Sequence, residues 1–245
     1  MKAMLFAAGM GTRLKPLTDH LPKALVPVNG RPLLDIVLRR LQAAGATQVT
    51  INVHHFAQQI INYINTHPYE GVSIKISDET NELLETGGAL KKATPILTAD
   101  GSNRPILIHN VDILSNVDLH EFYTASDNAD ATLLVSNRET QRYLLFDSKM
   151  QMVGWTNIAT GEVRSPYPDL RVENCQRFAF SGIHTFSPRL LPFMESWPNK
   201  FAIMDFYIKL CSSVKIKGIL SPNLRLLDVG KQDSISTAET FLKTL

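Results

Sequence analysis

The feature that most limits how this chain can fold is the alternation, through its first half, of short apolar runs with amphipathic segments. Ala3 to Ala7 (AMLFA) is brief and apolar, which predicts a buried strand. Pro32 to Ala44 places apolar residues at helical spacing, with Pro in its first turn and Gly45 just past its end, and predicts a helix. The pattern then repeats: strand Gln48 to Val53, helix Phe56 to Thr66, strand Ser73 to Ile76, a short helix opening at Gly88 and running to Ala93, and strand Pro105 to His109. Apolar strands separated by helices pair in parallel and are covered on both faces, and such sheets bind ligands at the carboxyl ends of their strands. A site is therefore expected in the loops after Ala7, Val53 and His109.

The second half changes character. Ala131 to Ser136, Tyr143 to Asp147 and Met152 to Trp155 read as short strands with turn residues between them, in antiparallel style. Arg177 to Thr185, a helix around Met204 to Ser212, a strand at Lys215 to Leu220 and a terminal helix from about Asp233 complete the chain. No linker, repeat or low-complexity segment divides it, so one compact domain over 1–245 is expected. A length of 245 residues with 44% hydrophobic and 20% charged content suffices for a full core. The net charge of +2 is too small, and the Lys and Arg too dispersed, for a nucleic-acid surface. Cys175 and Cys211 are the two cysteines, without metal or disulfide spacing, and read as reduced thiols. No stretch approaches a membrane span and no leader pattern opens the chain, so no membrane insertion and a cytoplasmic location are expected.

The loop after the first strand, AAGMGTRLKPLTDHLPKALVPVNG, carries the chemistry. Gly9 and Gly11 let the backbone turn sharply and bring its N–H groups close to an anion. Arg13 can grip phosphate oxygens through two donors while Lys23 acts as a point charge, a combination suited to a polyphosphate. Pro16, Pro22 and Pro27 stiffen the loop. Two common phosphate motifs are missing: there is no GxxxxGK[ST], and the third glycine of the dinucleotide fingerprint is Leu14.

The string AAGxGTRLxPLT followed by PKALVPVxGRPLL resembles the signature of the sugar-1-phosphate nucleotidyltransferases. Glu85-Thr86-Gly87-Gly88-Ala89, His109-Asn110-Val111-Asp112 and Leu227-Asp228-Val229-Gly230 extend the resemblance along most of the chain. It is greatest to the branch containing N-acetylmuramate 1-phosphate uridylyltransferases and mannose-1-phosphate guanylyltransferase-like proteins. The resemblance implies an α/β fold with a mostly parallel mixed sheet flanked by helices, of the glycosyltransferase-A-like, Rossmann-like kind. About 1–136 would be the nucleotide-binding half and about 137–245 the sugar-phosphate-binding half. It implies that Ala8, Gly9, Gly11 and Thr12 lie along a nucleoside triphosphate, that Arg13 reaches the β and γ phosphates, and that Lys23 serves the α-phosphate and the incoming sugar phosphate. Thr86, Gly87, Gly88 and Asn110 would contact base and ribose, and Asp112 and Asp228 would hold Mg²⁺. Arg13, Lys23 and Asp112 form the implied catalytic set. Glu173 and Gly182 would receive the sugar; Asp205 either joins them or caps its helix.

Plainer readings stand beside these: Asp112 as a cap after a strand, Asp228 as a strand end, Thr86, Gly87 and Gly88 as an ordinary glycine turn opening the helix from Ala89 to Ala93, and Glu173 as a surface acid. His54 and His55 leave a strand on opposite faces with no third ligand, and read as structural. Trp155 and Trp197 read as core or pocket wall. Two residues depart from the family pattern, Val111 where Gly is common and Lys231 where Thr is common. The expected reaction joins a nucleoside triphosphate, UTP ahead of GTP, to a sugar 1-phosphate; mannose 1-phosphate with GTP is the alternative. A non-catalytic nucleotide-sugar-binding regulatory subunit has little need of both carboxylates, and a dehydrogenase lacks its glycine fingerprint.

Overall fold

The computed structural model describes residues 1–126, 128–221, 223–231 and 233–244. Strand β1 (Lys2–Phe6) leads through the long loop to a hairpin of two-residue strands, β2 (Pro27–Val28) and β3 (Arg31–Pro32), and then to helix α1 (Leu33–Ala43). The alternation continues with β4 (Gln48–Val53), α2 (Ala57–Thr66), β5 (Ser73–Asp78), α3 (Glu85–Leu97) and β6 (Ile106–Asn110). Strands β5, β4, β1 and β6 lie side by side in that order, all parallel. Their carboxyl ends share one edge, where the loops after Phe6, Val53 and Asn110 meet.

The chain then runs through β7 (Ile113–Ser115), α4 (Leu119–Ala125), β8 (Ala131–Ser136), β9 (Arg142–Phe146), β10 (Met152–Asn157) and β11 (Glu162–Arg164). It closes with β12 (Gln176–Phe186), α5 (Leu191–Met194), α6 (Ile203–Leu210), β13 (Ile216–Leu220), β14 (Leu226–Asp228) and α7 (Ser234–Leu242). The eleven-residue β12 is the joint of the molecule. One part pairs antiparallel with β6, and others with β8 and β9, so the parallel half and the antiparallel β9-β10-β11 meander belong to one mixed sheet. β13 adds to β8 in parallel.

Side-chain alternation along the strands divides the interior. Ala3 and Leu5 of β1 face a core with α1, α2, α4 and α7, whereas Met4 and Phe6 face a second core with α3, α5 and α6. The sheet is thus an α/β layer with helices on both faces, as expected. Helix α3 differs from expectation: it begins at Glu85 rather than Gly88 and passes through Pro95 to Leu97. Burial of Ala93 and Leu97 against the second core holds the last turn in spite of its proline. Strands β7 and β14 are three residues each, too short to show a period, and pair antiparallel as a ribbon beside the main sheet.

Candidate functional site

The site is built first by the loop leaving β1. Ala7 donates its N–H to Oδ1 of Asn52, at the end of β4, at 2.8 Å, which fixes the start of the loop. Gly11 has φ +64°, and its carbonyl accepts from Leu14 N and Thr18 Oγ1, each at 2.8 Å. A Cβ on Gly11 would stand 2.8 Å from Thr18 Cγ2 and 3.1 Å from Lys23 Cβ. Glycine is therefore what lets the turn close against Lys23. At Gly9 the opposite holds: no atom lies within 4 Å of where a Cβ would be.

Lys23 is buried, and its ammonium forms an ion pair with Oδ2 of Asp112, which follows β6. The β7–β14 ribbon brings the second carboxylate. Asp228 pairs in register with Ile113, and Val229 N donates to Asp112 O at 2.9 Å, so two acids far apart in sequence become neighbours. Asp228 is exposed and does not line the cavity described below, although part of its carboxyl group is shielded from water. The resulting desolvation, and next the charge of Asp112, push its pKa up. A Cβ on Gly230 would lie 2.7 Å from Asp228 Oδ1 and 2.9 Å from Arg13 Nη2, so the guanidinium and the carboxylate converge over that glycine.

Two neighbouring carboxylates offering oxygen donors fit a hard divalent cation. Among the described residues no group of three His, Cys, Asp or Glu forms an all-protein cage. Mg²⁺ does not require one, because it commonly keeps several waters and takes one or two carboxylates together with substrate phosphates.

A cavity of about 500 Å³ opens between these groups. Ala8, Gly9, Gly11, Thr12, Arg13, Lys23, Asn110 and Asp112 all line it, as do Thr86 and Glu85 from the start of α3. Gly87 and Gly88 do not. Their N–H groups both donate to Phe201 O, at 2.8 and 3.2 Å, and Cβ atoms there would meet the Phe201 ring at 2.3 Å and Asn199 O at 2.0 Å. Gly182, with φ +73°, lies behind Asn110, whose Nδ2 a Cβ would approach to 3.0 Å. Val111 is buried in the wall and donates its N–H to Phe6 O at 3.1 Å.

A second cavity of about 390 Å³ shares Ala202 in its wall with the first. Arg138, Arg142, Arg164, Trp155 and Asp205 line it. Arg164 donates to Asp205 at 2.8 Å and lies over the Trp155 ring at 5.8 Å; Asp205 is thus engaged across the cavity, and no side chain caps α6. Glu173 is exposed on the short turn Val172–Asn174 and lines neither cavity. His54 Nδ1 meets Glu79 O at 2.6 Å, His55 packs on Phe56, and Trp197 packs on Phe201 and Phe206.

Sequence reasoning did not single out Asn52, Glu79 or the three arginines. For Asn52 a signal existed, a polar residue near the carboxyl end of a parallel strand, where ligands of such sheets bind.

A glycine turn, two cations and neighbouring carboxylates gather at the carboxyl edge of a parallel sheet in an α/β protein, the edge at which such sheets bind ligands. The family described as nucleotidyl transferase matches residues 2–244, and the chain belongs to that family. N-acetylmuramate alpha-1-phosphate uridylyltransferase of Caulobacter vibrioides is 42% identical over 112 residues, 45% of this chain and 45% of that protein. A probable mannose-1-phosphate guanylyltransferase of Oryza sativa is 28% identical over all of this chain and 66% of its own length. The chain thus spans about half to two thirds of the curated relatives it matches. A putative glucose-1-phosphate thymidylyltransferase from Bacillus anthracis, solved with sucrose, shares the fold with a TM-score of 0.80 at 16% identity, covering 100% of this chain and 96% of that one. Among the described residues no helix is long and apolar enough to cross a membrane.

Proposed function

We propose that the chain transfers a nucleotidyl group from UTP to a sugar 1-phosphate, releasing pyrophosphate, with N-acetylmuramate 1-phosphate as acceptor. The observation that carries this reading is the meeting of Arg13, Lys23, Asp112 and the Gly9–Gly11 turn around one cavity, with Asp228 beside them. In-line attack of the sugar phosphate oxygen on the α-phosphorus forms one P–O bond and breaks another, so no protein nucleophile is needed. The work of the protein is to hold two polyanions together and offset charge.

The turn and Arg13 bind the β and γ phosphates, and Lys23 offsets charge at the α-phosphoryl group. Asp112 and Asp228 would hold Mg²⁺, which supplies charge neutralisation between the two substrates when bound. The acceptor enters from the second cavity. With Arg164 paired to Asp205, Arg138 and Arg142 leave an excess of positive charge in its lining, which favours a sugar that carries an anion beyond its phosphate, as the lactyl carboxylate of N-acetylmuramate does, over neutral mannose.

The test is pyrophosphate release from UTP, GTP, CTP, ATP and dTTP against N-acetylmuramate 1-phosphate and mannose 1-phosphate, with and without Mg²⁺. Release confined to UTP with the acidic sugar and dependent on Mg²⁺ supports the proposal. Release with GTP and mannose 1-phosphate replaces it by guanylyl transfer, and silence with nucleotide binding intact replaces it by transfer to another acceptor or by a binding protein. Asp112→Asn is expected to abolish Mg²⁺-dependent release while far-UV circular dichroism stays that of the wild type, because a neutral amide is a poor ligand for Mg²⁺.

A further inference from the structure

Glu79, the residue after β5, has no solvent exposure, and among the described residues no basic group forms an ion pair with it. A buried carboxylate is costly unless its oxygens are hydrogen-bonded, and here both are. Oε1 accepts from Asn52 Nδ2 at 2.8 Å, and Oε2 accepts from Leu84 N at 3.2 Å. Each partner leads to a different wall of the first cavity. Asn52 passes its other amide atom, Oδ1, to the N–H of Ala7 at the start of the phosphate loop. Leu84 immediately precedes Glu85 and Thr86, the first residues of α3 and the opposite wall.

The chemistry of the chain of bonds fixes its polarity. Ala7 N–H requires an acceptor, so Asn52 must turn Oδ1 to it and Nδ2 away, and Nδ2 and Leu84 N–H both then require acceptors. A glutamine at 79 offers one acceptor and one donor and cannot serve both. A carboxylate can. The backbone of Glu79 adds to the brace: its N–H donates to Val53 O at 2.8 Å, and its carbonyl accepts from Glu82 N at 3.0 Å.

We infer that Glu79 is a positioning residue, a buried clasp that sets the distance between the phosphate loop and the start of α3 so that one nucleoside triphosphate can engage both walls at once. This rests on the nucleotide reading of the first cavity. When two half-sites are held at the right spacing, a ligand bound at one end meets the other at high effective concentration. A slackened clasp therefore costs the whole ligand more than either of its fragments.

The test compares UTP and pyrophosphate by titration calorimetry, and uridine by NMR titration, for wild type, Glu79→Gln and Asn52→Ala, with thermal unfolding of each. Glu79→Gln is expected to weaken UTP by about tenfold or more while pyrophosphate and uridine stay within about twofold of wild type. Asn52→Ala, which takes the partner from Ala7 N–H and from Glu79 Oε1 and changes the cavity wall on the loop side, is expected to weaken UTP and pyrophosphate but not uridine. Unchanged UTP affinity in Glu79→Gln overturns the clasp, as does a parallel fall of all three ligands with melting temperature. If Glu79→Gln does not fold, Glu79→Asp, which keeps the carboxylate but is one methylene too short to reach both Asn52 Nδ2 and Leu84 N, is judged by the same criteria. A wild type that binds neither UTP nor pyrophosphate overturns the nucleotide reading and the clasp with it, an outcome distinct from a wild type that binds and a variant that binds equally well.

Discussion

At Gly9 and Gly11 the same residue type answers two different demands. Gly11 is required by the fold: its φ is +64°, and a Cβ would press on Thr18 and Lys23. Gly11→Ala is expected to lower unfolding stability by about 1–3 kcal/mol, read by urea titration, through left-handed strain and crowding. Gly9 has open space where a Cβ would go, so Gly9→Ala is expected to leave stability within about 0.5 kcal/mol. If the cavity holds a triphosphate, that methyl occupies ligand space, and the KM for UTP rises several-fold with the fold unharmed. Lys23 is tested by its kinetics. Lys23→Met removes the charge while keeping much of the buried stem, and is expected to lower kcat by about 10²- to 10³-fold with a smaller change in KM for UTP, because its charge is proposed to act where charge develops.

The elements show where sequence pattern reaches its limit. Strands β1 and β6 were legible as apolar runs and β4 and β5 as Val or Ile alternating with polar residues, all bounded by turn residues, and the motif at Arg13, Lys23 and Asp112 was legible because loop chemistry and resemblance coincide. Gly87 and Gly88 were harder. Sequence gives the same signature for a glycine that admits a ligand and one that admits a neighbouring chain, and here the neighbour is the segment at Asn199 to Phe201. Gly88→Ala places a methyl 2.0 Å from a backbone oxygen, which cannot rotate away, and is expected to cost about 3 kcal/mol. Its signature is a lower melting temperature with KM for UTP near wild type at low temperature; a raised KM with normal melting would return that glycine to the ligand. Glu79 was not legible for another reason: its hydrogen bonds reach Asn52 on the neighbouring strand and Leu84 N, and no local period encodes such partners.

Across the whole molecule, the parallel and antiparallel halves are welded where β6 meets β12, with Ile183 opposite His109 and His184 opposite Ile108. Both histidines are buried in this seam. Desolvation holds the His109 pKa down at about 4 and that of His184 at about 3, so both rings are neutral when the protein is folded. In the unfolded chain they titrate near 6.5. As pH falls through that value the unfolded state takes up protons that the folded state refuses, and stability is lost. Between pH 7.5 and 5.5 each histidine accounts for a loss of about 1.4 kcal/mol. Urea unfolding of His184→Gln is therefore expected to show a pH-dependent loss smaller than wild type by about 1.4 kcal/mol over that interval, whatever the variant's absolute stability. Equal losses in the two proteins would mean that His184 is protonated in the folded state, contrary to its burial. The seam also carries Asn110 at the end of β6 and Gly182 behind it, so acid that loosens the joint acts on the wall of the candidate site. Loss of UTP binding on acidification should then follow the unfolding curve in wild type and shift with it in the variant.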